Sequence, residues 1–183
     1  MKILHIIPSL AKGGAERITL DIVSGLAVSP GVEVALVVFR NENTYPFLTE
    51  EIDFKIIPSY YIPSLKGKGK KEVRELQEFI DTFQPTVIHS HLFETEMVLS
   101  QIKLSNGVKR VVHFHDNMFQ LKKVNFKKRV KKATLTNYYE RQLVLKSWRK
   151  ANTQTIAISK DTEKFILSNI PKRFKTTFLK NGI

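Results

Sequence analysis

Short, almost continuously apolar runs recur along the chain, most of them followed by a stretch with helical spacing, and this alternation limits the fold more than any other feature. Lys2 to Pro8, Glu33 to Phe39, Asp53 to Pro58, Thr86 to His91, Arg110 to His115, Thr155 to Ile158 and Thr176 to Leu179 read as strands. Continuous apolar character is what strands covered on both faces require. Ala15 to Ala27 reads as a helix with Ile18, Ile22 and Leu26 turned to the core, and Val73, Leu76, Ile80 and Phe83 recur at helical spacing before Pro85. Ala133 to Lys150, which carries Leu135, Tyr138, Tyr139, Leu143 and Trp148, reads as a longer helix, and Ser159 with Asp161 behind it as a helix start. The expected class is α/β, a three-layer sandwich with a mainly parallel sheet and helices on both faces. Asn41 to Phe47 and Tyr60 to Gly69 break the pattern and are expected to be mobile loops. In such a fold, ligands meet the sheet at the carboxyl ends of its strands, near the point where strand order reverses.

With 183 residues, 42% of them apolar, the chain has enough for one buried core, so residues 1–183 are expected to form one domain. The absence of cysteine excludes disulfides and thiolate metal sites and fits a reducing, cytoplasmic setting. Met1 to Pro8 has too short an apolar run for a secretion signal, and no run approaches the roughly 20 apolar residues that span a bilayer.

The first strand runs into Pro8-Ser9-Leu10-Ala11-Lys12-Gly13-Gly14-Ala15-Glu16-Arg17 and then a helix. Paired glycines there let backbone approach a ligand where unpaired amides and the helix dipole favour an anion, although a plain tight turn explains them equally well. The spacing is not that of a dinucleotide site, which needs Gly-x-Gly-x-x-Gly and an acidic residue after the second strand, where Phe39-Arg40-Asn41 stands. No Gly-Lys-Ser/Thr follows, which excludes a P-loop.

All five histidines fall on expected strands, and four form two His-x-His pairs, His89-Ser90-His91 and His113-Phe114-His115, at carboxyl ends. Period-two geometry puts both members of a pair on one face, so adjacent strands can bring four imidazoles together. Because a catalytic zinc recruits carboxylate and second-shell partners that the sequence does not identify, no metal ligand is assigned. His5, His89 and His113 read as core histidines, His91 and His115 as ligand contacts. His115, followed by Asp116 and Asn117, is the strongest candidate, since a neutral imidazole at a strand tip can hydrogen-bond a sugar hydroxyl or a carbonyl. No Gly-x-Ser-x-Gly elbow supports a nucleophilic triad.

Together Lys2-Ile3-Leu4-His5-Ile6-Ile7-Pro8, Gly13-Gly14-Ala15-Glu16-Arg17, Val87-Ile88-His89-Ser90-His91, His115-Asp116, Ile156-Ala157-Ile158-Ser159 and Leu179-Lys180-Asn181-Gly182-Ile183 resemble the N-terminal domain of GT-B glycosyltransferases of family 4. The resemblance implies a Rossmann-like acceptor-side domain, residues 1–183, whose nucleotide-sugar-binding partner domain is absent from this chain. It implies a retaining hexosyl transfer from a nucleotide-sugar donor to a glycan or lipid-linked acceptor in surface polysaccharide or glycolipid synthesis, with no cofactor and no metal, and a fragment inactive by itself. Carried over by position, His115 matches the family's histidine near the transferred sugar and takes the catalytic role. Gly13, Gly14, Arg17, His91, Asp116 and Asn117 are expected in the donor and acceptor cleft.

Thirty Lys and Arg against 17 Asp and Glu leave a net charge of +13, a field that attracts anions. Lys66, Lys68, Lys70 and Lys71 form one cluster. Lys122, Lys123, Lys127, Lys128, Arg129, Lys131 and Lys132 form another, with Val124, Phe126 and Val130 interleaved. At about 1 kcal/mol per cation near an anionic leaflet, the second cluster is a candidate membrane or anion patch on a short interfacial helix, placing the protein peripherally on the inner face of the cell membrane. A solvated, lysine-rich loop is the simpler reading of the same residues. A basic nucleic-acid-binding module is the competing class; the chain lacks zinc-finger, basic-zipper and RNA-recognition patterns, and no nucleic acid partner is expected. A sugar-nucleotide epimerase of the same architecture is the third reading.

Overall fold

The chain opens with β1 (Lys2–Ile7), whose alternate residues serve two separate cores. Ile3 and Ile7 pack with Leu20 and Val23 of α1 (Gly14–Ala27) on one face, while Leu4 and Ile6 pack with Leu76, Ile80 and Phe83 of α3 (Arg74–Phe83) on the other. Each such side chain, wholly removed from water, contributes about 1.5–3 kcal/mol. Between those helices the chain forms β2 (Glu33–Val38), α2 (Pro46–Thr49), β3 (Asp53–Ile56), β4 (Tyr60–Ile62) and β5 (Lys70–Glu72). The second half continues with β6 (Val87–His91), α4 (Leu92–Leu99), β7 (Lys109–Phe114), α5 (Lys132–Lys150), β8 (Asn152–Ala157), α6 (Lys160–Asn169) and β9 (Lys175–Phe178). This is a computed structural model and describes residues 1–64, 69–124 and 132–180.

Seven strands form one sheet in the order β3-β2-β1-β6-β7-β8-β9, every neighbouring pair parallel. Strand order reverses between β1 and β6, which places the crevice of a doubly wound sheet above those two strands. The expected Rossmann-like architecture is therefore the observed one. A third core joins Val112, Phe114 and Ala157 of the sheet to Val144, Leu145 and Trp148 of α5 and Phe165 and Ile166 of α6. Ser159 caps α6, its hydroxyl accepting from the Thr162 amide at 3.1 Å, where the sequence places a helix start.

Three expectations are corrected. Tyr60 to Gly69 is not simply a loop, since β4 and β5 pair as a separate antiparallel ribbon with Tyr61 opposite Lys71. Asn41 to Phe47 is tied down: Leu10 donates to the Glu42 carbonyl at 2.8 Å, Thr44 donates to the Leu10 carbonyl at 2.9 Å, and α2 follows. The buried face of α1 is set by Thr19, Leu20 and Val23, while Ile18, Ile22 and Leu26 are only half-buried, because the helix is rotated about its axis relative to the expected stripe.

α4 is anchored by charge buried on the face of β7 opposite its histidines. Arg110 Nη2 donates to Glu96 Oε2 at 2.7 Å and Nη1 donates to the Ser147 hydroxyl at 2.7 Å, with both charged side chains at 0% exposure. The Trp148 indole N–H donates to the same carboxylate oxygen. Burial pushes the Arg110 pKa down and the facing Glu96 carboxylate pushes it back up.

Candidate functional site

The carboxyl ends of β1, β6 and β7 carry all five histidines of the chain. Parallel register pairs His5 with His89 and His91 with His113, and register partners share a face, so the five rings stand on one side of the sheet. Neighbouring ring centroids lie 4.2–5.4 Å apart. His5 Nδ1 is 3.2 Å from His91 Nε2, and His91 Nδ1 is 2.8 Å from His115 Nε2. A neutral imidazole has one donor and one acceptor nitrogen, so His91 must donate to one of these neighbours and accept from the other. His5, His89, His91 and His113 are buried and His115 is half-buried.

Burial is the first cause that keeps these rings uncharged. It lowers the pKa of His5 and of His115 to about 3, in both cases with help from His113, and that of His113 to about 4. His89 and His91 lie well below the ordinary value, burial again leading and the surrounding imidazoles adding repulsion against any charge. A neutral cluster of this kind supplies hydrogen-bond donors, acceptors and lone pairs and no net charge.

The glycine turn follows β1, at the start of α1. Gly13 is the N-cap, with extended backbone and no side-chain cap, so glycine is not required there by conformation. What glycine provides is room: a Cβ on Gly14 would meet nothing within 4 Å, and one on Gly13 would meet only the flexible carboxylate of Glu16. Tyr45 braces the turn, its hydroxyl accepting from the Gly13 amide at 3.2 Å and donating to the Gly13 carbonyl at 3.2 Å. An anion arriving at this helix start would compete with the Glu16 carboxylate, which already occupies the first turn.

The other residues expected in the cleft divide. His91 and His115 come together, and His91 is fully buried behind the half-buried His115. His115 has Nε2 engaged by His91, and its Nδ1 is buried without a partner. Asn117 donates from Nδ2 to Asp161 Oδ2 at 2.7 Å and so ties the loop after β7 to the first turn of α6, while Asp116 is exposed beside it. Arg17 is turned to Asp21 on the exposed side of α1, at 2.9 Å. Lys122, Lys123 and Lys132 are exposed; Lys127, Lys128, Arg129 and Lys131, with the interfacial helix expected around Phe126 and Val130, lie outside the described residues. Sequence reasoning missed the Arg40–Glu94 ion pair, at 2.5 Å, which joins the end of β2 to the first turn of α4. It missed Leu92 as well, whose φ of 67° is unusual for a bulky side chain and turns the chain sharply from His91 into α4. Neither has a sequence signal: an ion pair between residues 54 apart and one backbone angle are products of the folded chain.

The profile of Glycosyltransferase Family 4 matches residues 12–183. Among solved structures, HepE of Anabaena in complex with UDP and glucose is similar at 17% identity and a TM-score of 0.64, over 100% of this chain and 45% of that one. The complex of HepE with UDP-glucose gives 16% identity and a TM-score of 0.67, over 100% of this chain and 44% of that one. Sucrose-phosphate synthase of Thermosynechococcus elongatus is similar at 10% identity and a TM-score of 0.56, over 100% and 48%. No curated protein sequence matches the chain. The chain spans less than half the length of these solved proteins, and at such identities the likeness is one of fold. Among the described residues, no helix is long and apolar enough to cross a membrane.

Proposed function

The chain belongs to glycosyltransferase family 4, and from that premise we propose that it is the acceptor-side domain of a retaining glycosyltransferase that moves a hexose from a nucleotide-sugar to a glycan or lipid-linked acceptor. The observation that carries this reading is the point where strand order reverses, with the open Gly13-Gly14 turn following β1 and the His91–His115 pair at the ends of β6 and β7. HepE is solved with UDP and with UDP-glucose, which supports a nucleotide-sugar as donor. Residues 1–183 then form one domain of two, and the second domain, closing over this crevice, supplies most donor contacts. This part by itself is inactive.

In such a transfer the sugar develops positive character and the leaving phosphate negative charge, so fixed dipoles in a closed, dry cleft lower the barrier. The role of His115 is positional: its buried, unpartnered Nδ1 is the group left to bond a sugar hydroxyl once donor and second domain close over it. The acceptor side includes Asp116, Asn117 and the exposed Lys122, Lys123 and Lys132, whose charge suits the headgroups of an anionic leaflet on the inner face of the membrane and the synthesis of surface polysaccharide or glycolipid. No cofactor is needed for this chemistry.

The test is nucleotide release by the full-length gene product, incubated with a panel of nucleotide-sugars and an anionic lipid extract. Release that requires both donor and lipid, and that falls roughly 100-fold in His115→Ala, is the expected result. Absence of release from every donor, together with tight, salt-sensitive binding to duplex DNA, would overturn the reading.

A further inference from the structure

The geometry points to a transition-metal site inside the histidine cluster, formed by His91, His113 and His115, for a divalent ion of the zinc, cobalt or nickel class. One candidate ligand nitrogen from each of these three rings lies within 4.8 Å of the others, and His5, His89 and His91 form a second such group deeper in the sheet. Imidazole nitrogens around a tetrahedral ion sit about 2.0–2.1 Å from it and therefore roughly 3.3 Å from one another, so modest ring rotations close the outer group around an ion.

Packing and hydrogen bonding do not account for the cluster. Two hydrogen bonds use only four ring nitrogens, and five others are buried without any partner: His5 Nε2, His89 Nε2, both nitrogens of His113, and His115 Nδ1. Orphaned buried polar atoms are rare in folded proteins and point to an ion or ligand. His113 is 1% exposed with neither nitrogen satisfied, which makes it the centre of the site. Nitrogen-only ligands select borderline ions over magnesium or calcium, which take oxygen. The outer group is favoured over the inner one because His115 is half-buried at the strand end, which gives an ion a way in from the crevice. Three imidazoles leave a fourth position for water or an anion. The low proton affinity of the rings agrees with this, since a metal then competes with no bound proton at neutral pH.

Residues 1–183 hold no cysteine and all five of their histidines are in this cluster, so any imidazole–metal signature of these residues expressed without a tag reports on one place. Zinc binding is measured by calorimetry on chelator-treated protein, and cobalt absorption reads the coordination geometry. The expected result is one ion per chain with a tetrahedral cobalt spectrum. His113→Gln and His115→Ala each weaken zinc binding at least about tenfold, while His89→Gln stays within about threefold. Circular dichroism checks each fold, and His115→Ala, at a half-buried strand end, carries the test where His113→Gln fails to fold. Absence of stoichiometric zinc binding, or a loss that follows His89→Gln instead of His115→Ala, overturns the assignment. The glycosyl-transfer reading does not depend on this ion, and a negative result here leaves nucleotide release untouched.

Discussion

Replacing Glu96 by Ala strips the buried Arg110 guanidinium of its one anionic partner among the described residues. Both side chains are at 0% exposure, and one carboxylate oxygen receives the Arg110 Nη2 and the Trp148 indole N–H. Leaving a buried charge uncompensated costs about 3–5 kcal/mol, against about 1 kcal/mol for the orphaned indole by itself, so the charge decides the outcome. For a chain of this length each kcal/mol moves the midpoint by roughly 2–4 °C, and thermal melting of Glu96→Ala is expected about 10 °C below the wild type. Glu96→Gln keeps an acceptor oxygen and falls between the two. Removing both charges, as Glu96→Leu with Arg110→Met, restores stability to within about 2 kcal/mol of the wild type, because the desolvation cost of the pair disappears with its attraction. Urea titrations of the wild type, Glu96→Leu, Arg110→Met and the double variant at neutral pH close the double-mutant cycle. A single-mutant loss below about 1 kcal/mol, or a double mutant as unstable as the two single losses added together, would refute the reasoning.

Further outcomes follow from other parts of the fold. Gln84 ends α3 in the left-handed region at φ 52°, its N–H donating to the Ile80 carbonyl at 2.9 Å, so Gln84→Gly raises stability by about 0.5–1 kcal/mol in urea titration. His5, His113 and His115 are neutral in the fold, with pKa values of about 3, 4 and 3, and protonate near 6.5 when the chain unfolds. Below pH 6.5 the unfolded chain therefore binds more protons, and chelator-treated protein loses stability as pH falls, by about 3 kcal/mol between pH 6.5 and 5.5 for the three together; a urea midpoint unchanged over that interval contradicts it. Arg141 donates to the Leu121 carbonyl at 3.0 Å and the Asn169 carbonyl at 2.9 Å, holding the segment after β7 against α6, and Arg141→Ala lowers stability by about 2 kcal/mol and speeds amide exchange around Leu121.

Much of the scaffold is written in local pattern. The continuous apolar runs place the seven strands of the main sheet to within a few residues, and spacing marks the buried face of α3 because Leu76, Ile80 and Phe83 satisfy one helical stripe. The stripe on α1 misleads, since Leu20 and Val23 are as apolar as Ile22 and only the docking of the helix on β1 and β2 chooses among them. β4 and β5 are invisible for a different reason: Lys70-Lys71-Glu72 has no apolar face, and its pairing with Tyr60 to Ile62 is made by backbone hydrogen bonds. Asn41 to Phe47 reads as loose by composition, and its order comes from Leu10 and from the Tyr45 hydroxyl at Gly13, contacts across more than 30 residues.

The sequence by itself determined that this is a parallel α/β sheet, that a glycine turn opens the first helix, and that histidines stand in pairs at strand ends, because period two and helical spacing are local properties of the chain. The tertiary structure decided which histidines meet. Period two says which face a residue takes and not which neighbour it has, so bringing His5 to His89 and His91 to His113 required the register of β1, β6 and β7, strands distant in the chain that are set level by the cores on both sides of the sheet.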